Sequence, residues 1–339
     1  MSTLATLPTL LFLDTLFEFL RPSTLAGVAV EGLSLAALYV MITAGLSLIF
    51  GLMGVLNFAH GAVTMLGAYL GGLVTVLLVG GATGDPVRFL AFFVATLVAF
   101  GALAALGGGM EIALVRPIYD RPPLYQILLT FGVTLILEEL ARIVLLFYGI
   151  QPISDWQDAL ATRPAVLGEG LGVAGVAVDG LELFQILFGI LTVVGVWAFL
   201  TRTRYGLYVR AGSEDDEMLA ALGVDVRQVF TVVFALGTGV AGAAGVLLAW
   251  DPSWAASVPL AAETLLPAFV VVIVGGLGTF RGTVAAALLV GVTDAIMKWW
   301  FQNYVEFTGL PEITVFLVLV IMLIVRPQGL YGVSEVGGH

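Results

Sequence analysis

Gly51, Gly54, Asn57, His60 and Gly61 crowd one short stretch of an otherwise apolar sequence. Apolar runs of membrane length flank them, at 25–50 and 62–80. Polar, glycine-broken backbone at that depth is tolerated only where protein covers it or where it lines a cavity. Broken helices with a few polar groups build paths and gates through membranes. The chemistry on offer is non-covalent. Asn57 is placed to cap a helix starting near Phe58, with contact to a solute as its alternative. His60 is either a path or gate residue or a histidine satisfied by neighbouring backbone. A half-helix N-terminus here presents free N–H groups and a positive dipole, which suits transient contact with a carboxylate.

A second interruption, Gly275-Gly276-Leu277-Gly278-Thr279-Phe280-Arg281-Gly282, lies at a corresponding place in the other half of the chain. Paired breaks of this kind point to internal repetition around a central path, to which Gly275, Gly276 and Gly278 contribute. Arg281 reads either as part of that repetition or as a basic anchor. Glu138, Glu139 and Arg142 interrupt an apolar stretch. Glu138 and Arg142 stand four apart, so an internal ion pair is geometrically available. A proton relay is the alternative, although no second acid–base chain occurs in the other spans. Glu111, Asp294 and Lys298 fall near span ends and are expected at the interface.

Several chemistries are excluded. There is no cysteine, and His60 and His339 are the only histidines, so thiol chemistry and a histidine metal cluster are ruled out. No phosphate-loop motif is present, so any nucleotide hydrolysis happens on another polypeptide. A net charge of −11 excludes a basic nucleic-acid surface. No cofactor is expected.

The 339 residues are 60% hydrophobic and 11% charged, with mean hydropathy +1.08, a composition that fits a polytopic membrane protein. Membrane segments are expected at 25–50, 62–80, 89–112, 124–149, 183–200, 229–249, 264–277, 283–298 and 312–325. The fold class is therefore all-α, a transmembrane bundle of about 8–10 segments that includes broken helices. Residues 1–20 lack the basic start of a signal peptide, and Thr9 to Leu20 reads as an interfacial helix. Arg116, Arg121, Arg202, Arg204, Arg210, Arg227, Arg281 and Arg326 gather on one side, which is assigned to the cytoplasm. The C-terminus is then inside and the N-terminus outside. The chain divides into an extracytoplasmic or interfacial segment (1–24), a transmembrane domain (25–326) and a cytoplasmic tail (327–339). Loop 150–182 is external, with a hairpin expected around Gly168 to Val178. Gly237, Ala241 and Gly245 form a small-residue packing ridge. Trp299, Trp300 and Tyr304 form an aromatic belt.

Loop 201–228, on the arginine-rich side, carries a short helix signal. Ser213 is the expected N-cap and Asp216 approximates a capping box. Glu214 and Glu217 add to the acidic first turn. Met218, Leu219 and Leu222 form an apolar edge, and Gly223 supplies a left-handed stop. About two and a half turns of helix are unstable alone in water. The segment therefore reads as a docking helix for a soluble cytoplasmic subunit, against the alternative of a solvated loop.

Three blocks carry a resemblance: Gly45 to Gly67, Arg210 to Asp225, and Gly275 to Gly282 followed by Arg326 to Leu330. In this order the chain resembles the LivH-like inner-membrane permeases of ABC importers for branched-chain amino acids. Residues 1–24 and 150–182 carry none of it. The resemblance implies a translocation subunit that is not itself an enzyme, in the cell membrane. Its implied partners are two cytoplasmic ATPases, a second homologous permease and an extracytoplasmic substrate-binding protein, within membrane lipid. It also implies that Ser213 to Gly223 is the ATPase-coupling helix. The expected activity is alternating-access transport of branched-chain or other hydrophobic amino acids. The alternatives are a related permease for urea or short amides, an ion-coupled secondary transporter using Glu138, Glu139 and Asp294, and a non-transporting scaffold.

Overall fold

Helices appear wherever the sequence has long apolar runs, because a bilayer obliges each segment to satisfy its own backbone hydrogen bonds. The computed structural model describes residues 12–79, 84–156, 160, 167, 170–173, 176–251, 253–305 and 311–332. A short helix α1 (12–19) leads into α2 (Pro22–Met53), α3 (His60–Val79) and α4 (Asp85–Met110). A π turn (Glu111–Val115) and a 3-10 turn (Arg116–Ile118) follow, then α5 (Pro123–Tyr148) and α6 (Pro152–Asp155). Strands β1 (Leu171–Val173) and β2 (Val176–Val178) pair antiparallel, the hairpin expected in the external loop. The chain continues as α7 (Gly180–Arg202), α8 (Arg204–Gly212), α9 (Asp216–Ala221) and α10 (Val226–Trp250). It ends with α11 (Leu260–Gly275), α12 (Phe280–Trp300), extended by a π turn (Phe301–Val305), and α13 (Pro311–Val325).

A helix occupies every expected membrane segment, although α11 ends at Gly275, two residues short of the expected 277. Among the described residues, six helices are long and apolar enough to cross a membrane by length and composition: α2, α3, α4 with its following turns, α7, α10, and α12 with its π turn. α11 and α13 are shorter. The expected interfacial helix is seen over 12–19; its first residues, from Thr9, lie outside the described residues.

α2 and α10 form the centre. α2 packs on α7, α10, α11 and α12, and α10 on α3 and α4 as well. Close approach replaces a hydrophobic drive between helices in lipid. A Cβ on Gly45 would lie 2.4 Å from the Gly237 carbonyl oxygen, and one on Gly245 would lie 2.1 Å from Thr64 O. The Gly237–Ala241–Gly245 ridge is thus used inside the subunit. Trp299, Trp300 and Tyr304 also turn inward in part, stacking with Phe12 and Phe19 of α1.

Candidate functional site

Gly54 ends α2 with φ 63°, and its N–H bonds Phe50 O at 2.8 Å. The chain then runs back alongside α2 before α3 begins. His60 Nε2 donates to Ile42 O at 2.7 Å, about three turns (~16 Å) before the end of α2. The start of α3 is therefore buried deep in the bundle. Asn57 caps it, with Oδ1 accepting the Ala59 N–H at 3.1 Å. Both Asn57 and His60 are 0% exposed. α5 covers the irregular backbone between the two helices. Thr130 Oγ1 accepts the Phe58 N–H at 3.2 Å, and Thr134 Oγ1 donates to Phe58 O at 3.0 Å. Among the described residues, Asn57 Nδ2 and His60 Nδ1 have no hydrogen-bond partner.

α11 closes on this start. A Cβ on Gly61 would lie 2.0 Å from Ala261 O. The rings of Phe58 and Phe269 stand 4.8 Å apart.

The second break lies at the arginine-rich end of the bundle. α11 stops at Gly276 (φ 98°), and Gly278 (φ 79°) turns the chain into α12. The two glycine interruptions touch: a Cβ on Gly51 would lie 2.7 Å from Gly278 O. Gly275, Gly276 and Gly278 thus gather with Gly51, while Asn57, His60 and Gly61 sit some turns deeper. The C-terminal segment seals the junction. Leu330 N bonds Val274 O at 2.8 Å, and Tyr331 N bonds Gly275 O at 3.0 Å.

The 201–228 loop folds against the same end, with one correction to its capping. Ser213 is not the N-cap of the short helix; it ends α8, and its Oγ donates to Arg210 O at 2.9 Å. Asp215 caps α9 instead, accepting the Met218 N–H at 2.8 Å. Ser213 is taken up in closing α8, so the Asp215 carboxylate two residues on caps the next helix. α9 is accordingly six residues long, shorter than expected, and Asp216 is its first residue rather than a capping-box partner. Gly223 stops it with φ 84° as expected. The apolar edge divides: Leu219 is 5% exposed, while Met218 and Leu222 are 59% and 75% exposed. Leu219 and Leu52 both lie beside Gly212, so α9 rests on α8 where α8 meets the last turn of α2.

Glu111, at the end of α4, is buried within the protein, with its side chain 0% exposed. It accepts from Arg116 Nε (3.0 Å) and Nη2 (2.7 Å), Tyr119 Oη (2.5 Å) and Thr231 Oγ1 (2.7 Å). Burial, and then the Glu111 carboxylate, push the Tyr119 phenol well above its ordinary pKa, so it stays a donor. This cluster ties the turn after α4 to the first turn of α10, just beyond α9. The ion pair on α5 also differs from expectation. Arg142 pairs with Glu139 at 3.6 Å rather than with Glu138.

Sequence reasoning missed a cavity of about 740 Å³ at the opposite end, among α2, α7, α11, α12 and α13. Its wall carries Glu31, Asp179, Glu182, Asp251, Glu263 and Asp294 with Lys298, beside Leu35, Leu38, Leu266 and Phe316. Lys298 bonds Glu31 at 2.6 Å, and Tyr39 Oη donates to Asp294 at 3.5 Å. Ser34 donates to Gln185, whose Nε2 donates to Asp251 at 2.8 Å. The carboxylates come from distant parts of the sequence and show no pattern until the helices assemble.

A family profile described as "Branched-chain amino acid transport system / permease component" matches residues 28–326. The permease protein BraD of Pseudomonas aeruginosa, of a high-affinity branched-chain amino acid transport system, is 27% identical over 312 residues, 91% of this chain and 95% of BraD. LivH of Escherichia coli K12, named likewise, is 25% identical over 309 residues, 90% of this chain and 95% of LivH. LivM of the same organism is 24% identical over 320 residues, 88% of this chain and 68% of LivM. No solved structure matches. With a profile running from α2 to the end of α13, across both glycine breaks and the 201–228 loop, the chain belongs to the branched-chain amino acid transport permease family.

Proposed function

We propose that this chain is a permease subunit of an ATP-driven importer that carries branched-chain or related hydrophobic amino acids across the cell membrane. The observation that carries the reading is the family match over residues 28–326, supported by relatives named for that transport. The subunit performs no covalent chemistry. Two cytoplasmic ATPases, a second homologous permease and an extracytoplasmic binding protein complete the importer. The arginine-rich end, with the C-terminus, faces the cytoplasm, in keeping with the basic bias of its loops.

On this reading, the binding protein delivers substrate to the cavity at the outer end. A zwitterion with an aliphatic side chain suits its lining. The carboxylates offer acceptors to the ammonium group, Lys298 offers a cation to the carboxylate, and Leu35, Leu38 and Leu266 offer an apolar wall. Deeper in, Asn57, His60 and Gly61 form the gate. The closed contact of Gly61 on Ala261 must part for the solute to pass. α9 docks on an ATPase through Met218 and Leu222. Nucleotide-driven movement then passes through Leu219 and α8 to the last turn of α2, and from Gly51 to the 276–279 turn. Movement of these contacts would open α3 and α11 to alternating sides.

The test is uptake by vesicles holding the reconstituted complex. Leucine uptake is expected to need both ATP and the binding protein. Uptake that survives without ATP while an ion gradient is held would replace this reading with ion coupling.

A further inference from the structure

Only four of the 26 residues of α5 are fully buried: Gln126, Thr130, Val133 and Thr134. Leu137, Ala141 and Leu145 complete its inward edge. The rest of the helix faces outward, and that face is not uniformly apolar. Glu139 and Arg142 pair at 3.6 Å, with side chains 58% and 56% exposed. A 26-residue helix is ~39 Å long, against a hydrocarbon core of about 30 Å. α5 fills the expected membrane segment 124–149, and for a span centred on that core Glu139, nine residues or ~14 Å from the Tyr148 end, falls inside the hydrocarbon. Charged side chains at that depth face protein or a water-filled cavity rather than lipid. Other outward faces suit lipid, with Leu90, Phe93 and Leu97 exposed on α4 and Leu187, Ile190 and Val194 on α7.

What sets α5 apart is its exposed ion pair, because open glycines also occur at Gly101 on α4 and Gly195 on α7; Gly132 is the one beside that pair. It lies two turns before Glu139 on the same stripe of the helix. A Cβ there would meet nothing within 4 Å, so no close contact within the chain calls for glycine. A flat position of this kind admits the backbone of a neighbouring helix.

We propose that the outward face of α5, from Leu128 to Ile143, is the surface on which the second, homologous permease chain packs, covering Glu139 and Arg142. The inference rests on the importer reading above. Among the subunits of such an importer, only another membrane-spanning chain reaches this depth. The ATPases and the binding protein are confined to the two ends.

Because the chain has no cysteine, single labels can be placed cleanly. Ile136→Cys and Ile143→Cys on α5, with Leu97→Cys on α4 as reference, would carry a spin label. Each variant would be co-expressed with the ATPases and a cysteine-free second permease, and measured in lipid nanodiscs. Oxygen accessibility at 136 and 143 is expected to fall severalfold on going from isolated chain to complex, while 97 stays high. Accessibility at 136 and 143 that matches 97 within the complex overturns the proposal and leaves the importer reading intact. Gly132→Trp provides a label-free check. It is expected to lose the second permease on purification while the chain itself remains monodisperse; full retention overturns the proposal. If the unmodified chain retains neither ATPase nor second permease, the importer reading fails and this inference falls with it.

Discussion

Arg116→Leu is expected to cost the fold about 3 kcal/mol. The Glu111 side chain is 0% exposed, and Arg116 is the only cation among the donors it accepts from, at 3.0 and 2.7 Å. Removing it leaves a buried carboxylate held by two neutral hydroxyls, Tyr119 and Thr231. Breaking a buried pair from one side costs about 3–5 kcal/mol. The Arg116 side chain is still 27% exposed, so water screens part of the pair and the lower end applies. That is roughly 160-fold in the folding equilibrium at about 1.36 kcal/mol per tenfold. At about 2.1 cal/mol/K of unfolding entropy per residue, a chain of 339 residues loses roughly 4 °C of melting temperature. Thermal unfolding in detergent, followed as the monodisperse fraction by gel filtration, reads the shift. Glu111→Leu combined with Arg116→Leu removes both charges and should recover at least half the loss, because no uncompensated ion remains. A single variant within about 1 °C of the parent, less than about 1 kcal/mol in a chain of this size, would refute the reasoning. A double variant no better than the single one would refute it equally.

Four further outcomes follow from the geometry. Gly61→Ala brings a Cβ to 2.0 Å from Ala261 O, a backbone atom, and should cost about 1–3 kcal/mol and abolish uptake. Gly54→Ala, at φ 63° with nothing within 4 Å, should show only backbone strain of about 1–2 kcal/mol and retain uptake; the reverse order in a melting and uptake series would contradict the placement of the α3 start. Asp215→Ala should weaken α9 by about 1 kcal/mol and lower the ATPase retained on purification, while Ser213→Ala should leave it unchanged. Leu222→Asp changes a side chain 75% exposed, so melting should move by less than about 0.5 kcal/mol equivalent while ATPase retention falls.

The helices were legible because hydrocarbon thickness writes a length into the sequence, and the first glycine break because polar Asn57 and His60 accompany it, whereas packing glycines such as Gly237 and Gly245 stand in apolar runs. Asn57 and Gly223 act locally, within a few residues, and their capping and stopping roles were readable for that reason. The Asp215 cap was misread because two good capping side chains stand two residues apart, and only the end of α8 decides between them. Long-range placement was not readable. Nothing near Glu111 in sequence announces Thr231, and Gly51 does not announce Gly278. The cavity needed residues from Glu31 to Lys298 brought together by five helices.

The central place of α2 sets an order on biosynthesis. Glu31 meets Lys298 across 267 positions of chain, and at about 5–20 residues per second the partner emerges about 15–50 s later. Its other neighbours, α7, α10, α11 and α12, are all made after it. Glu31 is therefore among the last groups of α2 to meet its partner, after α7 and α10 have already covered other parts of that helix. Slowing translation late in the message should lengthen the window in which quality-control proteases can seize the chain.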